Sequence, residues 1–230
     1  MKRSFGKYFL LFILLLHSVS GWGQLRIYTR NFMIQDFKSK PTKVVLDGSP
    51  EFNAALRQEI TSLWTITPYE FCTAADYKKQ ANSSDCYFLH TETGKGIVFL
   101  SLSRGGKKND DDALKRPVTL AALPIRGEQD GSGRELTYMP AFISIIQDCA
   151  EAALNSECAA YRGLKAIKVR LPKHFTLYSD PAEADEAFVS QFTDAASLVV
   201  VSPDGRPGSK PRYEMAIGTS DYRLYRYAKR

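Results

Sequence analysis

Histidine is scarce in this chain, three in 230 residues, and no two of them stand at the helical spacing that lets one helix face bind zinc. His90 and His174, the two outside the N-terminal segment, have no nucleophile motif beside them and read as surface or strand-end residues. There is no G-x-S-x-G elbow and no papain-like cysteine context. Neither Gly94-Lys95-Gly96 nor Gly105-Gly106-Lys107 completes a phosphate loop. The four cysteines, Cys72, Cys86, Cys149 and Cys158, lack the short ligand turns of a structural zinc site. No apolar run reaches the roughly 20 residues needed to span a bilayer. These absences narrow the enzyme classes, leaving no motif of a serine or papain-like hydrolase, a phosphate loop or a zinc ribbon, and no cofactor or metal is expected.

What is present begins at the N-terminus. Lys2, Arg3 and Lys7 precede the apolar run Tyr8 to Leu16, and small residues follow at Ser18, Ser20, Gly21 and Gly23. This is the three-part layout of a cleavable secretory signal over residues 1–23, with cleavage after Gly23 preferred to cleavage after Ser20. No cysteine lies near either site to accept a lipid, so the mature protein is expected free of a membrane anchor, in the periplasm first and secreted or surface-associated second.

Residues 24–230 fit a single globular domain, and a hydrophobic content of 44% with 12% aromatics argues for a packed core. The formal net charge of +6 includes the three basic residues of the signal, so the mature chain carries about +3. From Gly205 onward basic residues outnumber acids, and a local basic patch or a solvated C-terminal face is expected there.

Four cysteines in an exported chain admit three disulfide connectivities. If Cys149 and Cys158 share one unbroken helix they lie about 13.5 Å apart on opposite faces, beyond disulfide reach. Cys72 and Cys86 end and begin two predicted neighbouring strands, which makes theirs the easier pairing, with four free thiols as the alternative.

The pattern along the chain predicts strand-like alternation over Ile27 to Phe37 and a short strand from Lys43 to Leu46, closed by Asp47-Gly48. Ser49 then caps a helix from Pro50 to Trp64. A strand from Thr67 to Cys72, a short helix from Thr73 to Gln80 and a strand from Cys86 to His90 complete a strand-helix alternation that favours parallel neighbours. Further strands are expected at Gly96 to Leu102 and Pro117 to Ile125, then one long helix from about Leu136 to Tyr161. The tail supplies a capped helix near Asp180-Pro181, a strand at Leu198 to Val201, a Pro/Gly loop from Ser202 to Pro211 and a hairpin through Gly218. No internal sequence repeat is seen. The fold class is α/β: a mixed, partly parallel sheet with helices packed on it and a C-terminal β-hairpin.

Three constellations carry candidate chemistry. Asp47, Gly48 and Ser49 sit at a strand end and helix N-terminus, where free N–H groups and the helix dipole favour an anion; a plain turn and cap is the competing explanation. Asp110, Asp111 and Asp112 supply carboxylates but lack the pattern of a calcium loop, and Lys107 and Lys108 compensate them, so a solvated loop is expected. In the run Tyr222 to Tyr227, Arg223, Tyr225, Arg226 and Tyr227 mix aromatics with cations. Simple alternation puts Arg223, Tyr225 and Tyr227 on one face and Leu224 and Arg226 on the other, which suits either a polyanionic glycan or a charge-protected edge strand.

Lys43 to Ser49, the helix ending in Trp64, Thr67-Pro68-Tyr69-Glu70-Phe71 and Tyr87-Phe88-Leu89 together resemble a family of exported proteins of Bacteroidetes-type bacteria. The likeness covers mainly residues 43–102 and brings no activity or site residues with it. The order of strands and helices is similar to the N-terminal domain of TolB-like envelope proteins, as an analogy of fold. An aspartate after an apolar strand is also similar to haloacid-dehalogenase-type phosphotransferases. Those carry a second aspartate two residues on, where this chain has Ser49. The expected function is a non-enzymatic exported cell-envelope protein that binds another protein or a surface polymer such as an anionic glycan, with nucleic acid excluded by export. The alternative is a hydrolase or phosphotransfer-type enzyme acting at Asp47.

Overall fold

A computed structural model describes residues 29–167, 169–190, 197–203 and 212–230; the expected signal at 1–23 and most of the loop from Ser202 to Pro211 lie outside them. The chain is an α/β protein with two mixed sheets. Strand β1 (Thr42–Leu46) alternates Val44 and Val45 between two buried faces, then stops at Asp47-Gly48. Ser49 Oγ accepts the Phe52 N–H at 3.2 Å, and Pro50 opens helix α1 (Pro50–Leu63). Phe52, Leu56 and Ile60 recur at helical spacing, so one stripe of α1 is buried.

β2 (Tyr69–Thr73) follows, then α2 (Ala74–Gln80), capped by the Thr73 hydroxyl, and β3 (Tyr87–Gly94). β1 pairs in parallel with both β2 and β3. A two-residue turn at Lys95 and Gly96, both at positive φ (56° and 76°), reverses the chain into β4 (Ile97–Arg104). That geometry suits glycine at the second position and strains lysine at the first. β5 (Val118–Gly127) completes the sheet in the order β2-β1-β3-β4-β5.

The predicted long helix is interrupted twice. α3 (Arg134–Thr137) ends where Pro140 has no N–H to continue the ladder, and α4 (Met139–Asn155) restarts there. Ser156 is extended at φ −151°, and its hydroxyl caps α5 (Glu157–Arg162). α4 is buried on more than one stripe, Met139, Phe142, Ile146, Ala150 and Ala153 with Ala141 and Ile145 beside them, and it packs on β5 and α1. The segment predicted as a strand up to Phe37 instead forms two 3-10 turns over its described part, Asn31–Ile34 and Phe37–Ser39, each burying one apolar residue.

The second sheet follows from β6 (Thr176–Tyr178), α6 (Pro181–Val189), β7 (Ser197–Val201), β8 (Tyr213–Gly218) and β9 (Leu224–Lys229), in the order β6-β7-β8-β9. One apolar core takes in Val44, Leu89, Leu100 and Leu102 of the first sheet, the inner faces of α1 and α4, and Val199, Met215, Ile217 and Leu224 of the second. At about 25 cal/mol per Å² this shared burial is the main force holding the sheets together.

Two polar triads clamp loops onto this core. Arg104, fully buried, donates to Asp36 Oδ1 at 2.9 Å, to Tyr87 Oη at 3.0 Å and to the Arg116 carbonyl at 2.9 Å. Tyr87 in turn donates to Asp36 at 2.7 Å. On the other side of the molecule Asp185 accepts from Tyr138 at 2.6 Å and Arg134 at 2.9 Å.

The cysteine pairing expected from sequence does not form. β1 lies between β2 and β3, so Cys72 and Cys86 flank strands two spacings apart, roughly 9.6 Å, and both are free thiols. Cys149 is buried in α4 and Cys158 is exposed on α5, also free.

Candidate functional site

The first sheet has an inner face against α1 and α4 and an outer face covered only in part. On the outer face Val45 and Phe88 lie under Tyr77 of α2. At the opposite end Ile97, Phe99 and Ala122 pack against Tyr213 and Tyr227 of the second sheet. Between these apolar patches the strands turn polar: Phe88-x-His90-x-Glu92 on β3 and Phe99-x-Ser101-x-Ser103 on β4 put His90, Glu92, Ser101 and Ser103 on one side. A cleft of about 340 Å³ opens there to solvent, walled by Tyr77 and Ala81 of α2, by Thr29 and by Thr119 of β5.

The polar groups are held in place. The His90 ring stacks on Tyr77 with centroids 4.9 Å apart, its Nδ1 lies 3.1 Å from the Thr91 carbonyl and its Nε2 lies 2.9 Å from Ser103 Oγ. With Nδ1–H donated to the carbonyl, Nε2 accepts the Ser103 proton, and the serine oxygen keeps its lone pairs for the cleft. Ser101, fully buried, donates to Glu92 Oε1, and Thr29 Oγ1 donates to the Thr119 carbonyl. Burial pushes the Tyr77 phenol above its ordinary value, and the carboxylates of Glu92 and Asp47 push it further. Both acids therefore stand near that ring. At Gly105 an added Cβ would lie 1.9 Å from the Ala81 carbonyl oxygen, so only glycine lets β4 approach α2 closely enough to close this wall.

Each sequence-derived candidate has a definite place. Asp47 is exposed at the end of β1, on the side where Tyr77 feels its charge. Gly48 and Asn53 exchange two hydrogen bonds, Gly48 N–H to Asn53 Oδ1 at 3.1 Å and Asn53 Nδ2 to the Gly48 carbonyl at 3.0 Å, while Ser49 caps α1. That helix terminus is tied to its own side chains. Asp110 accepts from the Asp112 N–H and Asp112 from the Leu114 N–H, so the triple-aspartate stretch turns and caps a loop. His174 is exposed.

In the tail a bulge opposite Ala216 and Ile217 adds Tyr225 as an extra residue and resets the alternation. Tyr227 thus shares a side with Leu224 and packs inward, instead of joining Arg223 and Tyr225 on one face. Arg226 and Arg230 converge on Glu214 at 3.6 and 3.5 Å, and Tyr225 donates to Asp221 at 2.7 Å. Arg223 is exposed.

The structure brings His90 together with residues that motif reasoning passed over: Glu92, Ser101, Ser103 and Tyr77. The signal that was available is the alternation itself, a strand whose second face carries His, Glu and Ser where a covered strand carries apolar groups. Among the described residues no cluster of three or more His, Cys, Asp or Glu is placed to hold a metal ion, and no helix is long and apolar enough to cross a membrane. No family model, curated protein or solved structure matches the chain.

Proposed function

We propose that this chain is an exported cell-envelope binding protein, periplasmic after loss of residues 1–23, and that the cleft over β3 and β4 is its binding site. The observation that supports this is the cleft itself: about 340 Å³, within the size range of small-molecule sites, with preset polar groups on a rigid sheet. Strand side chains locked by cross-strand hydrogen bonds lose little entropy when a ligand arrives, so their contacts convert efficiently into affinity. A surface polymer is the better occupant than a protein, because a concave cleft of this size takes a chain end or a few residues rather than a broad interface.

The test is retention of solubilised envelope material on immobilised mature protein, with a Ser103→Trp variant that fills the cleft. Wild type retains a component that the variant releases. Equal retention by both sinks the assignment of the cleft. Fusing residues 1–23 to a phosphatase that is active only outside the cytoplasm checks the address.

A hydrolase is the second reading, favoured by the Ser103–His90 hydrogen bond, in which an imidazole nitrogen is set to take the serine proton. Asp47 stands nearby at the end of β1 as the carboxylate of the alternative phosphotransfer reading. A fluorophosphonate probe decides: covalent labelling of Ser103, lost in His90→Asn, supports an enzyme, and an unlabelled serine supports the binding protein.

A further inference from the structure

Resting on the reading of the cleft as a binding site, we propose that its ligand is an uncharged saccharide, the exposed end or a short stretch of a neutral glycan. Charge comes first. Two cleft-lining side chains carry formal charge, Glu92 and Arg104, but the Arg104 guanidinium is fully buried and its two terminal nitrogens are taken by Asp36, Tyr87 and two carbonyls. The charge that faces the cleft is therefore the Glu92 carboxylate. Within a few ångströms, where solvent screens it only in part, a second anion is repelled. An anionic glycan, the ligand expected from the basic tail, does not suit this cleft.

The hydrogen-bonding character narrows the class further. Thr119 and Ser103 present hydroxyls, Glu92 presents acceptors, and all of these suit sugar hydroxyls, which donate and accept at once. An apolar ligand would strip water from the lone pairs of Ser103 and Glu92 that the internal hydrogen bonds leave over, and would give nothing back. A peptide recognised by strand addition is excluded by location. The cleft lies on a sheet face where the backbones of β3 and β4 are paired on both sides, and at its far wall β5, the edge strand, has its Thr119 carbonyl taken by Thr29 Oγ1. The partly exposed ring of Tyr77 at one wall, backed by the buried Phe88, gives the C–H face of a pyranose an apolar surface.

The experiment uses the mature protein and four probe classes at equal concentration: neutral disaccharides of glucose, mannose and N-acetylglucosamine; uronic-acid disaccharides; a glucosamine disaccharide carrying free amines; and neutral tripeptides. Binding is read as amide shift changes at β3 and β4 and as a dissociation constant. A neutral disaccharide is expected to shift Glu92, Ser103 and Thr119 and to bind about tenfold or more tightly than its uronic-acid counterpart. Glu92→Gln keeps the shape of the site, and it is expected to weaken the neutral sugar about tenfold and to narrow the gap to the uronic acid. Tighter binding of the uronic acid, the amine or the tripeptides overturns the saccharide assignment and leaves the cleft as a binding site. No shift at β3 and β4 with any probe, together with retention of envelope material that Ser103→Trp does not disturb, removes both the saccharide and the cleft.

Discussion

The two sheets repeat one topology with no sequence repeat beneath it. In the first, β1 lies parallel to β3, and β4 and β5 follow antiparallel; in the second, β6 lies parallel to β7, and β8 and β9 follow antiparallel. Each begins with a strand, a polar cap and a proline-opened helix, Ser49-Pro50 in one and Asp180-Pro181 in the other. Each is also clamped by an Asp, Arg and Tyr triad. They differ in cover. The second sheet lays Tyr213 and Tyr227 against the first, whereas the first crosses over through α1, β2 and α2, and α2 covers only the β1 end of its outer face. What remains open is the polar strip that forms the cleft. The proposed binding site falls on the copy of the motif whose outer face carries that polar strip.

The comparison breaks most sharply at the triads. Arg104→Met removes the buried cation from the Asp36 carboxylate and the Tyr87 hydroxyl and strips two carbonyls of their donor, leaving Asp36 to Lys40 and Tyr87 alone, and about 3 kcal/mol of stability is expected to be lost in urea unfolding. Asp185→Asn cuts the half-exposed triad, where solvent can replace the lost partner. A loss of about 1 kcal/mol is expected there. Equal losses would make the triads energetically equivalent and refute the role given to burial.

Acid separates them further. Burial raises the Asp36 carboxyl, but hydrogen bonds from Lys40 and Tyr87 and the charges of Arg104 and Lys40 outweigh it, so the carboxyl titrates below its ordinary value. Its stabilisation is complete above the unfolded value, about 3.9, and fades as pH falls through the lower folded one. Wild type is expected to lose stability below about pH 4, and Asp36→Asn should flatten that part of the curve.

The smaller tests concern turns and thiols. Lys95 at φ 56° in the β3–β4 turn is strained, and Lys95→Gly is expected to gain about 0.5 kcal/mol in melting experiments. Tyr222 holds the same φ of 56° in the second sheet's hairpin but stacks on Phe188, so Tyr222→Gly is expected to destabilise instead. Maleimide labelling of the native protein should find Cys158 first and Cys149 last, the latter's thiol being pushed up to about 12 by burial. A native mass two units below that of the fully reduced chain, with the bond mapped to Cys72 and Cys86, would contradict the strand order that separates them.

Much of the fold was legible because it is written in local chemistry. Asp47-Gly48-Ser49-Pro50 is a turn, a cap and a first helical residue in succession, and α1 forms where that signal stands. The long helix was misjudged at Pro140 and Ser156, where apolar spacing continued across residues whose backbone chemistry interrupts the ladder. The tail's alternation failed at Tyr225, since a bulge depends on the partner strand and shifts every later side chain to the other face. The site was the least legible part. His90 and Ser103 are thirteen residues apart and meet only through cross-strand pairing, a spacing that no short motif encodes.

By itself the sequence determined the secondary-structure class, the capped helices and the turn at Asp47-Gly48 that ends β1, because propensity, capping and turn chemistry act over a few residues. Only the tertiary structure decided that β1 runs between Cys72 and Cys86, that Arg104 is sealed against Asp36, and that the polar strip on β3 and β4 lies between α2 and the second sheet as an open cleft. Those outcomes depend on strand order and on which faces find partners, and they are set by contacts between residues far apart in the chain.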